Sequence, residues 1–265
     1  MVRRRQTDRR LLLRRRRIAG RQLAVVGFDT ATVDTAACAW RGGEVLHESL
    51  LGPSPEGRPL HSTRLLAEVE SAAAAAGGWG AVELVAVGLG PGSFTGLRIA
   101  VATARGLGAS LGLPLTGVCT LDAIGRGMGE AQEADGGGRG DTRPRLAVLD
   151  ARRGEVFAAL YGPGGERRWE PFVCRPEQLG ERVAELAEAP WAAGSGALRF
   201  RAELARHGVE IPDDADPVHR VAARQICALA AAAEEAGNDG PLAPIYLRAP
   251  DAERWLERDS VPRDE

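Results

Sequence analysis

The chain has 265 residues, of which 44% are hydrophobic and 26% charged, so it can bury the core of one large domain or two modest ones. No run reaches about 18 consecutive apolar residues, which argues against a membrane-spanning helix. The four cysteines and four histidines are scattered without the spacing of a zinc site. Isolated thiols of this kind favour a reducing, cytoplasmic location over a disulfide scaffold.

The charges divide the chain into two physically different parts. All 34 basic residues are arginines, and ten of them lie in residues 1–21 beside a single acid, Asp8. The remaining chain is therefore strongly acidic, which is unfavourable for direct binding of nucleic acid. Residues 1–22 are predicted to be a disordered extension or the product of an upstream start codon, with a polybasic arm for RNA or a membrane surface as the alternative.

The hydrophobic pattern predicts alternating strands and helices, which indicates an α/β fold. A Gly-Gly pair between the second and third strands is typical of a hairpin. In chain order the first half contains predicted strands at 23–29, 35–40 and 45–50, a helix at 60–76, a strand at 82–89, a helix at 95–111, a strand at 115–118 and a helix at 121–128.

The second half restarts the same pattern after a polar, glycine-rich stretch at 130–141. Its first strand, 145–150, resembles 23–29 because both are short apolar runs that end in aspartate. We therefore predict an internal duplication with lobes at 23–129 and 144–240, a flexible linker at 130–143 and a C-terminal segment at 241–265. The other elements predicted here are strands at 155–161, 167–173 and near 191, and helices at 176–187, 197–207 and 217–236.

A glycine-rich loop between a strand and a helix is the densest motif in the sequence. Gly90, Pro91 and Gly92 precede Ser93, which can cap the following helix. Such a loop can bind an anion or nucleotide, and it can equally be a tight structural turn. It lacks the Gly-Lys-Ser/Thr of a P-loop.

Small residues recur every fourth position along the helix after this loop. Such a stripe permits close packing, either against the chain's own sheet or against a helix of a partner. The stripe consists of Gly96, Ala100, Ala104, Gly108 and Gly112.

Several motifs together resemble those of the TsaB family, the dimerisation subunit of the machinery that makes threonylcarbamoyladenosine in tRNA. They span residues 23–248 in the family's order. The matching runs are GLGPGSFTGLR at 88–98, FDTAT at 28–32, HSTRLL at 61–66, DARRGEVF at 150–157 and PIYLR at 244–248.

The resemblance implies an actin-like ATPase fold with two similar lobes around a degenerate nucleotide cleft. It also implies a subunit without catalysis, cofactor or metal, because the two metal-binding histidines of the related catalytic subunit, TsaD, align with Thr120 and Ile124. A degenerate nucleotide site would consist of Asp29, Gly90, Gly92 and Ser93. The second hairpin, at 150–153, lacks the Gly-Thr of an active phosphate site and carries Arg152 and Arg153.

The implied partners are a TsaD-type catalytic subunit and a TsaE-type ATPase. A homodimer of the free protein is also open, and tRNA would be contacted only indirectly. We expect the partner-binding residues on the two helices of the first lobe to be His61, Leu65, Leu66, Val69, Gly96, Ala100, Ala104 and Gly108. The alternative function is an independent actin-like ATPase or kinase; a protease is disfavoured because the sequence has no HExxH motif.

Overall fold

A computed structural model describes residues 22–134, 143–237 and 242–248. The predicted arm at 1–22, except its last residue, lies outside these ranges, as do residues 135–142 and 249–265. Within them, no helix is long and apolar enough to cross a membrane.

The first half folds into one sheet and three helices, close to the predicted positions. Its strands are β1 (Ala24–Asp29), β2 (Thr35–Arg41), β3 (Glu44–Leu51), β4 (Leu84–Gly88) and β5 (Leu115–Val118), and its helices are α1 (His61–Ala75), α2 (Phe94–Leu111) and α3 (Thr120–Ala134). Helix α3 continues beyond the predicted end at residue 128, so residues 130–134 of the predicted linker are helical.

The second half contains a smaller sheet with helices after it. Its elements are β6 (Arg145–Arg152), β7 (Glu155–Tyr161), β8 (Arg167–Cys174), α4 (Pro176–Ala184), β9 (Trp191–Ala193), α5 (Ser195–Arg199), α6 (Arg201–Ala205), a 3-10 turn (Pro217–His219) and α7 (Ala223–Ala236).

Two helices predicted as continuous are interrupted. The helix predicted at 197–207 is broken at Phe200, whose ψ of 27° departs from helical geometry. The helix predicted at 217–236 is divided by Arg220, which is extended and forms a two-pronged ion pair with Asp34 at 2.7 and 2.9 Å. At Arg220 this tertiary contact overrides the local apolar pattern.

The two sheets share one topology, which confirms the predicted duplication. The first has the strand order β3-β2-β1-β4-β5 and the second β8-β7-β6-β9. In each, the first three strands are antiparallel and the fourth pairs in parallel with the first. Strand β5 extends the first sheet in parallel beyond β4.

The molecule is layered as helices, sheet, helices, sheet and helices. Alternate residues of β1 point to opposite faces, so Val25 joins a central core and Val26 an outer core. Helices α3 and α7 contribute to the central core between the sheets, α1 and α2 cover the outer face of the first sheet, and α4 to α6 cover the second. Helix α7 lies in the predicted second lobe but packs on β1 and β2 of the first.

Candidate functional site

The glycine-rich loop is packed against the chain's own β1–β2 loop. The N–H of Ser93 donates to the carbonyl oxygen of Ala31 at 2.7 Å. A methyl group at Gly92 would overlap that same carbonyl, and one at Gly96 would overlap the carbonyl of Thr30. Glycine is therefore required in both places by the approach of this chain's backbone.

The remaining loop residues adopt structural roles. Gly90 has a φ of 86°, in the left-handed region. Exposed Ser93 caps α2, its hydroxyl oxygen accepting from the N–H of Gly96 at 3.3 Å. In this conformation the loop forms a tight strand-to-helix turn.

Asp29 is buried at the end of β1 and is engaged by its own lobe. Its carboxylate accepts hydrogen bonds from the N–H of Ala31 and the hydroxyl of Thr120, both at 2.7 Å. Burial raises the pKa of Asp29, whereas these two bonds act in the opposite direction. Thr120 also accepts from the N–H of Gly90 at 3.1 Å. Asp29, the start of α3 and the glycine-rich loop are therefore joined in one hydrogen-bond network.

The two positions predicted to align with the metal ligands of TsaD are part of the core. Thr120 is the donor to Asp29, and Ile124 is buried in the central core. In the described part of the chain, no three His, Cys, Asp or Glu side chains are grouped so as to hold a metal ion.

In the second hairpin, at 150–153, the carboxylate of Asp150 is bonded by groups of this chain itself. Asp150 accepts from the N–H of Arg152 at 2.8 Å and from the Arg199 guanidinium at 2.7 Å. Arg152 and Arg153 have φ values of 63° and 55°, so two non-glycine residues occupy the left-handed region in succession. Asp150 stabilises this turn and pairs with Arg199.

His61 is a buried structural residue at the start of α1. Its Nε2 lies 3.1 Å from the carbonyl oxygen of Thr32 and therefore carries the proton, so Nδ1 accepts from the hydroxyl of Thr35 at 2.8 Å. Burial lowers the pKa of His61, which favours this neutral form. The residue is 4% exposed.

The structure places most of the predicted partner-binding residues inside the chain's own core. Leu65, Val69, Ala100 and Ala104 belong to the outer core beneath α1 and α2, and Gly96 and Gly108 are buried too. Leu66 alone of the predicted set is exposed, at 61%. The small-residue stripe therefore packs internally, and the prediction is corrected for the buried positions.

A C-terminal strap, residues 242–248, lies beside this site. The N–H of Ile245 donates to the carbonyl oxygen of Leu89 at 2.7 Å, next to the glycine loop. The Tyr246 ring lies 5.3 Å from the ring of Phe94. The run at 244–248 stood out in the sequence as a motif, but its position could not be predicted because these contacts join residues more than 150 positions apart.

The topology and the paired hairpins define a duplicated, two-lobed protein of the actin-like ATPase class. YeaZ from Pseudomonas aeruginosa, a solved structure, has a TM-score of 0.66 and 27% identity, over 85% of this chain and all of that one.

The sequence comparisons identify the family within this class. A family model described as TsaD, tRNA N6-adenosine threonylcarbamoyltransferase, matches residues 52–202. The tRNA threonylcarbamoyladenosine biosynthesis protein TsaB of Escherichia coli is 32% identical over 179 residues, 66% of this chain and 72% of its own. An uncharacterized protein of Mycobacterium tuberculosis is 39% identical over 193 residues, 72% of this chain and 77% of its own. The chain belongs to the TsaB family.

Proposed function

We propose that this chain is a non-catalytic subunit that binds and activates a TsaD-type threonylcarbamoyltransferase, for threonylcarbamoyladenosine formation in tRNA next to the anticodon. Its role in this biosynthesis follows from its family, whose relatives in Escherichia coli and Haemophilus influenzae are named for it. A TsaE-type ATPase would be the third member of the complex.

The observation that carries the non-catalytic assignment is the packing of the glycine loop. The space that two glycines leave open is taken by the carbonyl groups of Thr30 and Ala31. A phosphate would need the same space and would have to displace the β1–β2 loop. The acid at this position, Asp29, is already committed to two hydrogen bonds from its own lobe.

The second hairpin supports the same conclusion. Asp150 is paired with Arg199, and the Arg152 side chain stands beside it with its guanidinium 3.8 Å from the same carboxylate. An active hairpin of this class holds phosphate with backbone N–H groups, but here the N–H of Arg152 is donated to Asp150. This arrangement disfavours the alternative, an independent ATPase or kinase.

The docking surface proposed for TsaD lies on the outward side of α1 and α2. In the family resemblance these two helices meet their equivalents on the partner, and their inward sides are used by the chain's own core. Exposed positions on the outward side are Thr63, Leu66, Ala67, Glu70 and Ala74 of α1 and Thr95, Arg98, Ala102, Gly106 and Ala109 of α2. Small residues there permit close approach of a second helix pair.

Reconstitution with the TsaD of the same genome tests the proposal. We expect the mixture with TsaE, tRNA, ATP and a threonylcarbamoyl donor to form modified tRNA, and the mixture without this chain to form little. Ala102→Leu should weaken TsaD binding about tenfold to a hundredfold, since overpacking a tight contact costs about 1–3 kcal/mol. Ala232→Leu, at an exposed alanine of α7, a helix that covers the opposite face of the first sheet, serves as the matched control.

Two results would contradict the proposal. One is full modification without this chain. The other is ATP turnover by the purified chain at an enzyme-like rate that is lost in Asp29→Ala; that result would favour the independent ATPase.

A further inference from the structure

The C-terminal strap runs beside α2 and is held at several points. The Arg105 guanidinium donates to the carbonyl oxygen of Leu242 at 2.9 Å, and Tyr246 reaches Phe94 three turns nearer the start of the helix. Between these points Ile245 packs against both the central and the outer core. The strap is therefore held along one side of α2 by contacts at several points.

The strap is also tied to the second lobe. Arg248 forms an ion pair with Glu155 of β7 at 2.8 Å, and both side chains are largely shielded from water. Leu247 packs against the central core. Because both ends of the strap are held, the Tyr246 ring is fixed in place although it is 44% exposed.

The exposed residues Arg98 and Tyr246 and the half-buried Phe94 form an aromatic–arginine cluster at the start of α2. The Arg98 guanidinium carbon lies 4.0 Å from the centre of the Phe94 ring. Among the described residues Arg98 forms no salt bridge, and its side chain is exposed. Tyrosine and arginine in a fixed position are the residue types that most often dominate binding at protein interfaces.

The surroundings of this cluster carry positive charge. Helix α2 contains Arg98 and Arg105 but no aspartate or glutamate, whereas the charge of Arg248 in the strap is balanced by Glu155. The helix N-terminus adds a partial positive charge at the same end. A partner group placed here would be favoured if it carried a carboxylate.

The cluster is continuous with the docking surface proposed above. Arg98 lies one turn before Ala102 and two turns before Gly106, on the same outward side of α2. A partner that covers Ala102 and extends toward the start of the helix would reach Arg98 and Tyr246.

We propose that the C-terminal strap is a third element of the partner-binding surface, and that Tyr246 and Arg98 anchor a carboxylate-bearing segment of the TsaD-type subunit. This inference rests on the proposed function. Tyr246 supplies apolar area and Arg98 a paired charge, while the bonds to Leu89, Arg105 and Glu155 keep the strap in position before the partner arrives.

The test measures the dissociation constant for TsaD by titration calorimetry, together with the melting temperature of each variant. We expect Tyr246→Ala and Arg98→Glu each to weaken binding about tenfold or more, as truncations at interface hot spots do. Tyr246→Phe keeps the ring and should bind as the parent does. Arg168→Glu, an equal charge change at an exposed arginine of β8, should also leave binding unchanged.

If Tyr246→Ala loosens the strap, Arg98→Glu still gives a decisive result, because the Arg98 side chain is exposed and can be replaced without disturbing the core. Unchanged TsaD affinity in Arg98→Glu and in a folded Tyr246→Ala, with Ala102→Leu still weakened, would overturn this inference and leave the proposed function intact. Loss of tRNA retention by the complex at unchanged TsaD affinity would also overturn it, in favour of an RNA contact. If the parent chain does not bind TsaD, both proposals fail together.

Discussion

Two glycines of α2 are predicted to respond in opposite ways to the same substitution. Gly96 lies in the first turn, where an added methyl group would overlap the carbonyl oxygen of Thr30 and stand 3.1 Å from its carbonyl carbon. Gly106 lies in the exposed middle of the same helix, with nothing within 4 Å of the position of a methyl group. Gly96→Ala should therefore destabilise the protein, and Gly106→Ala should stabilise it.

The magnitudes follow from the contacts at each site. At Gly96 the obstacle is main chain, and moving α2 away would weaken the Thr30 hydroxyl bond to the Gly96 carbonyl and the Ser93 N–H bond to Ala31. Overpacking costs about 1–3 kcal/mol and each hydrogen bond about 0.5–1.5, offset by a helix preference of about 1. The net loss is about 1–5 kcal/mol, whereas Gly106→Ala gains about 0.5–1 kcal/mol.

Thermal and urea unfolding of the two variants beside the parent would check this. For a chain of this size each kcal/mol moves the melting temperature by about 2–4 °C. We expect Gly96→Ala to melt roughly 2–20 °C lower and Gly106→Ala a few degrees higher. Equal shifts in the two variants, or an unchanged melting temperature for Gly96→Ala, would refute the view that carbonyl groups of the β1–β2 loop occupy the space beside Gly92 and Gly96.

Two further predictions concern the same lobe. Ala104→Leu should lower the melting temperature through overpacking by about 1–3 kcal/mol and leave the TsaD affinity of the folded fraction unchanged, since Ala104 is wholly buried in its own core; a loss of affinity without a loss of stability would contradict this. Burial raises the pKa of Asp29, so its folded form holds a proton that the unfolded chain has released, and the free energy of unfolding should fall as the pH rises from the ordinary value of 3.8 through the raised pKa. Asp29→Asn should lack that fall, as measured by urea unfolding between pH 4 and pH 8, and parallel curves for the two proteins would disprove it.

The sequence by itself determined the repeated architecture. Strands at 23–29 and 145–150 could be matched because both are short apolar runs ending in aspartate, and the glycine-rich loop was placed between a strand and a helix by local pattern alone. Both are local features, so each can be recognised from its own short segment of sequence. The family could be identified for the same reason, because its motifs lie in short runs that keep their order.

Only the tertiary structure decided what each helix face packs against. The stripe from Gly96 to Gly108 has the same spacing whether it faces a sheet or a partner, and burial shows that it faces the chain's own sheet. Likewise, His61 was predicted at an interface, but its hydrogen bonds to Thr32 and Thr35 place it inside. Periodicity defines a helix face, whereas the neighbour of that face depends on segments far away in the chain.

The C-terminal strap shows the same limit of sequence-based prediction for residues that are far apart in the chain. Tyr246 meets Phe94 and Arg248 meets Glu155 across separations that no local pattern can report. The sequence supplied the aromatic and charged side chains, and the return of the chain to α2 assembled them into one surface. Chain topology, which depends on the packing of all layers together, therefore decided which side chains share this surface.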